Sequence, residues 1–107
     1  MHVPKSIKVG ASNFKVRLVP DEWEDQKDKG SFFLGQMRYG NQEIDVALRS
    51  EGKALPEASI ADTFLHEVIH AVSRTYGIGL TENQTGGLAG GLLQVIRDNS
   101  LDFRKGK

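Results

Sequence analysis

At Pro56 the spacing of apolar residues changes, and this change limits what the chain can fold into. Before it, apolar and polar residues alternate; after it, apolar residues recur every three or four positions. Period two belongs to half-buried strands and period 3.6 to helices packed on one side. Strands collected at the front and helices at the back predict an α+β fold, an antiparallel or mixed sheet followed by two helices. The 107 residues suit one domain with one core, and no internal repeat or linker divides them.

In the front half, residues 6–10 and 13–19 read as strands. Ile7 and Val9, then Phe14, Val16 and Leu18, share one face, and a turn is expected at Ala11-Ser12-Asn13. Residues 20–30, PDEWEDQKDKG, read as a charged loop, with Trp23 as a lid over the core. Residues 32–40 and 42–50 read as the arms of a hairpin closed at Gly40-Asn41. That gives about four strands. EGKALPEAS is then a loop into a helix, with Pro56 in its first turn and Glu57 complementing the dipole.

From Glu57 to about Tyr76, the residues Ile60, Phe64, Leu65, Val68, Ile69 and Val72 form a wide apolar stripe, which Gly77 and Gly79 terminate. A second helix is expected from Thr81 or Glu82 to Arg97 or Asp98, with Thr81 as N-cap and Leu88, Leu92, Val95 and Ile96 towards the core. Gly86, Gly87, Gly90 and Gly91 interrupt it, each costing about 1 kcal/mol relative to alanine. Their four-residue spacing suggests close approach of another backbone; the alternative is a helix that is loose or broken there. Leu101 and Phe103 could fold back onto the core.

Composition excludes several function classes. Without cysteine there is no disulfide, thiolate site or cysteine nucleophile, so any metal must be held by histidine and carboxylate. Lys and Arg balance Asp and Glu at 14 each, which argues against nucleic acid as a partner; only the C-terminal FRKGK is locally basic. No apolar run reaches the roughly 18 residues of a membrane span, and MHVPKSIKVG lacks a secretory h-region. A cytoplasmic location without membrane association is the expectation.

The chemistry is concentrated in HEVIH, residues 66–70. Four apart on a helix, His66 and His70 sit one above the other and can hold one metal ion. Glu67 is rotated away from them, where its carboxylate can take a proton from water that the metal has acidified. Polar residues amid FL, VI and AV would otherwise be costly to bury, so a ligand that satisfies them is expected. The competing reading is two core histidines bonded to their neighbours.

A catalytic zinc usually takes three protein ligands. No histidine follows His70, which leaves Glu82, Asp98 and Asp102 downstream. Glu82 is the best placed of them, opening the second helix after Gly77-Ile78-Gly79. Asp62, one turn before His66, could orient a ligand imidazole. Arg74, Tyr39 and Tyr76 are candidates to stabilise an oxyanion, and the terminal His2 is given no role. Two histidines and a carboxylate also suit iron; the helical spacing with a glutamate base favours zinc, one per chain.

HEVIH followed by a glutamate at the start of the next helix resembles the gluzincin-type zinc metallopeptidases. The short sheet, TFLHEVIHAV and ENQTGGLAGGLLQVIRDN are similar to the minimal phage and prophage metallopeptidases related to the ImmA/IrrE group. On the second helix Glu82, Thr85, Leu88, Ala89, Leu92 and Leu93 fit that group's pattern; the glycines at 86 and 87 depart from it. The resemblance implies a zincin-like domain with His66, His70 and Glu82 as ligands and Glu67 as general base. It implies a zinc-dependent endopeptidase acting on a protein or peptide, in the host cytoplasm if phage-encoded. It also implies that the strand before the active-site helix, here about residues 43–48, borders the cleft and pairs with substrate. The alternative is a non-catalytic, zinc-stabilised binding module that engages a protein partner.

Overall fold

A computed structural model describes residues 3–104. His2 and residues 105–107 of the basic tail lie outside the described residues. Four strands form the main sheet: β1 (Ser6–Val9), β2 (Ser12–Val19), β5 (Gly35–Arg38) and β6 (Glu43–Ala47). Two small ribbons flank it, β3 (Trp23–Glu24) with β4 (Phe32–Phe33) and β7 (Arg49–Ser50) with β8 (Lys53–Ala54). Helices α1 (Glu57–Thr75) and α2 (Glu82–Asp98) follow. This is a small α+β domain, a mixed four-stranded sheet followed by two helices.

The strand order is β1-β2-β6-β5, with β2 and β6 parallel and the outer pairs antiparallel. The parallel pairing brings β6 to the centre, and both its faces are covered. Ile44 and Val46 are buried beneath α1, where they meet Phe14, Val16, Val9 and Phe64. On the other face Asp45 is also buried. Arg17, its Cα partner across the parallel register, donates to Asp45 from Nε at 2.8 Å and from a terminal guanidinium nitrogen at 3.0 Å. Arg38 donates to Asp45 at 2.7 Å and to Glu43 at 2.9 Å. Burial pushes the Asp45 carboxyl up, but the hydrogen bonds and charges of Arg17 and Arg38 outweigh it and hold it below the usual range.

Several local expectations shift. The β1–β2 turn falls at Gly10-Ala11, because Val9 already pairs with Ser12 and Gly10 takes the left-handed conformation (φ 60°). In the β5–β6 turn Gln42, not Gly40, is left-handed, and its N–H donates to the Tyr39 carbonyl at 3.1 Å. Trp23 does not lie over the core; its ring packs at a tilt against Phe33, with centroids 6.0 Å apart, tying β3 to β4. Leu18 is largely exposed although it continues the Phe14–Val16 face.

Helix α1 starts one residue after its N-cap Pro56, with Glu57 in the first turn. It ends in a Schellman closure: the N–H of Ile78 donates to the Ser73 carbonyl at 2.9 Å while Gly77 (φ 64°) turns the chain. Helix α2 begins with a capping box. The Gln84 N–H donates to the Thr81 hydroxyl at 3.1 Å and the Thr81 N–H donates to the Gln84 side chain at 2.9 Å.

The expected core face of α2 is not the observed one. Thr85, Ala89 and Leu93 are buried against α1, whereas Leu88, Leu92 and Val95 are 42 %, 43 % and 42 % exposed. Thr85 and Ala89, small residues one turn apart, let the helices approach; Leu93 continues the same stripe, and Leu88 and Leu92 turn outward. The glycines are not what permits this: a methyl on Gly86 would sit 3.8 Å from His66 Cε1 and one on Gly90 3.9 Å from Asp62, ordinary contacts, while Gly87 and Gly91 face open space. Leu101 and Phe103 stay exposed.

Candidate metal centre

His66 and His70 lie on the side of α1 that faces the start of α2, and the Schellman turn swings Glu82 back towards them. The two Nε2 atoms are 3.1 Å apart, His70 Nε2 is 3.2 Å from Glu82 Oε1, and His66 Nε2 is in closer contact with the same oxygen. All three donor atoms lie within 4.8 Å of one another. Ligands bonded at about 2.0–2.2 Å in a tetrahedral arrangement stand roughly 3.3–3.5 Å apart; two sides of this triangle are close to that, and the His66–Glu82 side is clearly shorter. Two imidazole nitrogens and a carboxylate oxygen this close together are a suitable donor set for zinc. Burial pushes the Glu82 carboxyl up, but its contacts with His66 and His70 outweigh it and hold it below the usual range.

Of the other carboxylates considered from the sequence, Asp98 and Asp102 are engaged elsewhere. Asp98 accepts from Gln94 and Arg97, and Asp102 from Arg104. Asp62 borders the same cavity but makes no hydrogen bond to either imidazole among the described residues.

Glu67 is 8 % exposed, on the α1 face turned towards β5. Burial pushes its carboxyl up to about 7; the charge of His70 opposes the rise, Glu82 adds to it, and the backbone N–H of Met37 opposes it. That backbone contact follows from the sheet register. The Ala47 N–H donates to the Leu34 carbonyl, so along β5 the even positions bond to β6 while Gly35 and Met37 direct their backbone groups to the free edge. Gly35 lets this edge come close: a Cβ there would lie 2.5 Å from Thr63 Cγ2 and 3.1 Å from Glu67 Oε2.

A cavity of about 570 Å³ lies between β5 and the helices, bordered by Phe33, Gln36, Met37, Glu67, both histidines and Glu82. Its sheet wall is β5, which has a hydrogen-bonded neighbour on one side only among the described residues. Residues 43–47, expected at the cleft edge, form the central strand; β2 and β5 occupy both its edges, so it has none left for a peptide.

The structure thus brings together His66, Glu67, His70 and Glu82. It turns Tyr39 and Tyr76 elsewhere: the Tyr39 hydroxyl lies 3.3 Å from Thr75 Oγ1, and Tyr76 is exposed near Gly10. Gly35 and Met37 were not singled out by their residue types. A glycine inside a strand pattern was the available signal, since it often marks a close backbone approach. Comparison with protein families, with curated proteins and with solved structures finds no match to this chain.

Proposed function

We propose that the protein is a zinc-dependent endopeptidase of the minimal gluzincin type, with His66, His70 and Glu82 as ligands and Glu67 as general base. The observation that carries this reading is the position of Glu67. A buried carboxylate shares one cavity with a three-donor cation site and lies against the free edge of a strand. A site that only held the helices together would need the three ligands and no fourth acid.

Zinc bound there would acidify a water molecule and polarise a carbonyl. Glu67 accepts the water proton as the water oxygen bonds to the carbonyl carbon, then passes it to the departing amine nitrogen as the C–N bond breaks. The backbone N–H of Met37 holds the Glu67 carboxylate in place from the β5 side. An extended peptide would add to β5 through the outward backbone groups of Gly35, its main chain positioned by hydrogen bonds.

The test is metal content and hydrolysis on the full chain. Wild type and Glu67→Gln are each expected to hold one zinc, Glu82→Ala to hold it weakly or not at all, and only wild type to hydrolyse an unfolded protein substrate. A wild type that takes up no zinc when supplied, or a Glu67→Gln variant as active as wild type, would overturn the reading.

A further inference from the structure

The groove continues past His70. A second hollow of about 510 Å³ is bordered by Met37, His70, Ser73, Arg74, Gly77 and Gly79. Met37 and His70 line both hollows, so the two adjoin along β5 and α1. Arg74 stands one helical turn beyond His70 at the far end.

This arginine differs from the other five in the chain. Arg17 and Arg38 pair with Asp45, Arg49 with Asp21, Arg97 with Asp98 and Arg104 with Asp102. Among the described residues no carboxylate lies within 4.0 Å of Arg74. Its guanidinium carbon instead sits 4.7 Å from the centroid of the Tyr39 ring. Tyr39 is itself held by the Phe14 ring, centroids 5.9 Å apart, and by the contact of its hydroxyl with Thr75. A guanidinium resting on a fixed aromatic face keeps its N–H edge free and loses less freedom when it binds an anion. At the other end of the groove Asp62, one turn before His66, borders the first hollow with no cationic partner among the described residues. The groove is therefore basic past His70 and acidic before His66.

We propose that Arg74 selects the substrate's charge by binding a peptide carboxylate in the second hollow, a specificity that rests on the peptidase reading. One helical turn is about 5.4 Å and a strand residue about 3.3 Å, so the carboxylate belongs about two residues from the scissile bond. Strand β5 runs from Gly35 beside Thr63 towards Met37 beside His70, and thus towards Arg74. A peptide antiparallel to β5 places its acidic residue on the N-terminal side of the bond.

The experiment uses the zinc-loaded Glu67→Gln chain and fluorescein-labelled, C-terminally amidated octapeptides. Glu, Gln or Lys is stepped through an alanine–serine background; a second set carries a free C-terminal carboxylate. By anisotropy, Glu at one position is expected to bind about fivefold tighter than Gln, with the margin shrinking as salt rises. Adding Arg74→Glu should turn this into a preference for Lys, and Arg74→Lys should retain part of it. Preference for the free terminus alone, lost in Arg74→Glu, would assign the carboxylate to the chain end. Equal affinity for Glu and Gln, no binding of any peptide, or a preference unmoved by Arg74→Glu would overturn the assignment. The same peptides incubated with wild type and read by mass spectrometry test the peptidase reading separately. Charge selection without cleavage retains Arg74's role and rejects catalysis; cleavage without charge selection does the reverse.

Discussion

Replacing Gly35 with alanine adds one methyl at the point where the sheet edge meets the buried base. That methyl would sit 2.5 Å from Thr63 Cγ2, 3.1 Å from Glu67 Oε2 and 3.2 Å from Glu67 Cγ. Carbon atoms prefer separations of about 3.5–4.0 Å, so the Thr63 contact is short by roughly 1 Å. Thr63 is β-branched and stiff in a helix, and Glu67 is buried, so neither can simply swing into solvent. Overpacking of this kind costs about 1–3 kcal/mol, and the reduced freedom of the unfolded chain returns roughly 0.5–1 kcal/mol. The net loss should be about 1–2 kcal/mol, or about 1 M in urea midpoint for a small domain. The assay is urea unfolding of zinc-loaded protein, with Gly40→Ala as control because nothing lies within 4 Å of a methyl there. Thr63→Ser removes the clashing methyl, so Gly35→Ala with Thr63→Ser should recover about 1 kcal/mol of the loss. A Gly35→Ala midpoint equal to wild type, or a double variant no better than Gly35→Ala, would refute the argument that β5 is pressed against α1 here.

Other outcomes follow from the same geometry. Gly87→Ala and Gly91→Ala, with open space around both positions, should each raise stability by up to about 1 kcal/mol in the same urea titration. Asp45 titrates lower when folded than when unfolded, so its contribution is present above about pH 4 and is lost as pH falls through the lower folded value. Wild type should therefore lose stability more steeply than Asp45→Asn in that acid window, read as urea midpoint against pH. Removing zinc with a chelator should lower amide-exchange protection in α2 more than in β2 and β6, because Glu82 would tie α2 to α1 through the metal. Unchanged α2 protection would argue against that tie.

The residues differ in how far their sequence neighbourhood determined them. The sheet-then-helix order and both helices were legible because each rests on a short-range period and on caps a few residues away, such as Thr81 with Gln84. The pairing of His66 with His70 was legible for the same reason: four residues along a helix is a fixed geometry. Glu82 could be ranked first because it opens the next helix after the short turn that follows the end of α1. Strand order could not be read in this way. The parallel β2–β6 pairing joins residues 28 positions apart, and only that pairing makes β6 central, buries Asp45 and leaves β5 as the edge beside Glu67. The face that α2 presents was likewise decided by contact: the small Thr85 and Ala89 are fully buried against α1 with Leu93 on the same stripe, while Leu88 and Leu92 stay exposed. The sequence by itself thus determined the elements and the pair of histidines, since both depend on local periodicity. The tertiary structure decided which strand borders the site, how deeply Glu67 is buried and that Arg74 faces the groove unpaired, because each depends on contacts between segments distant along the chain.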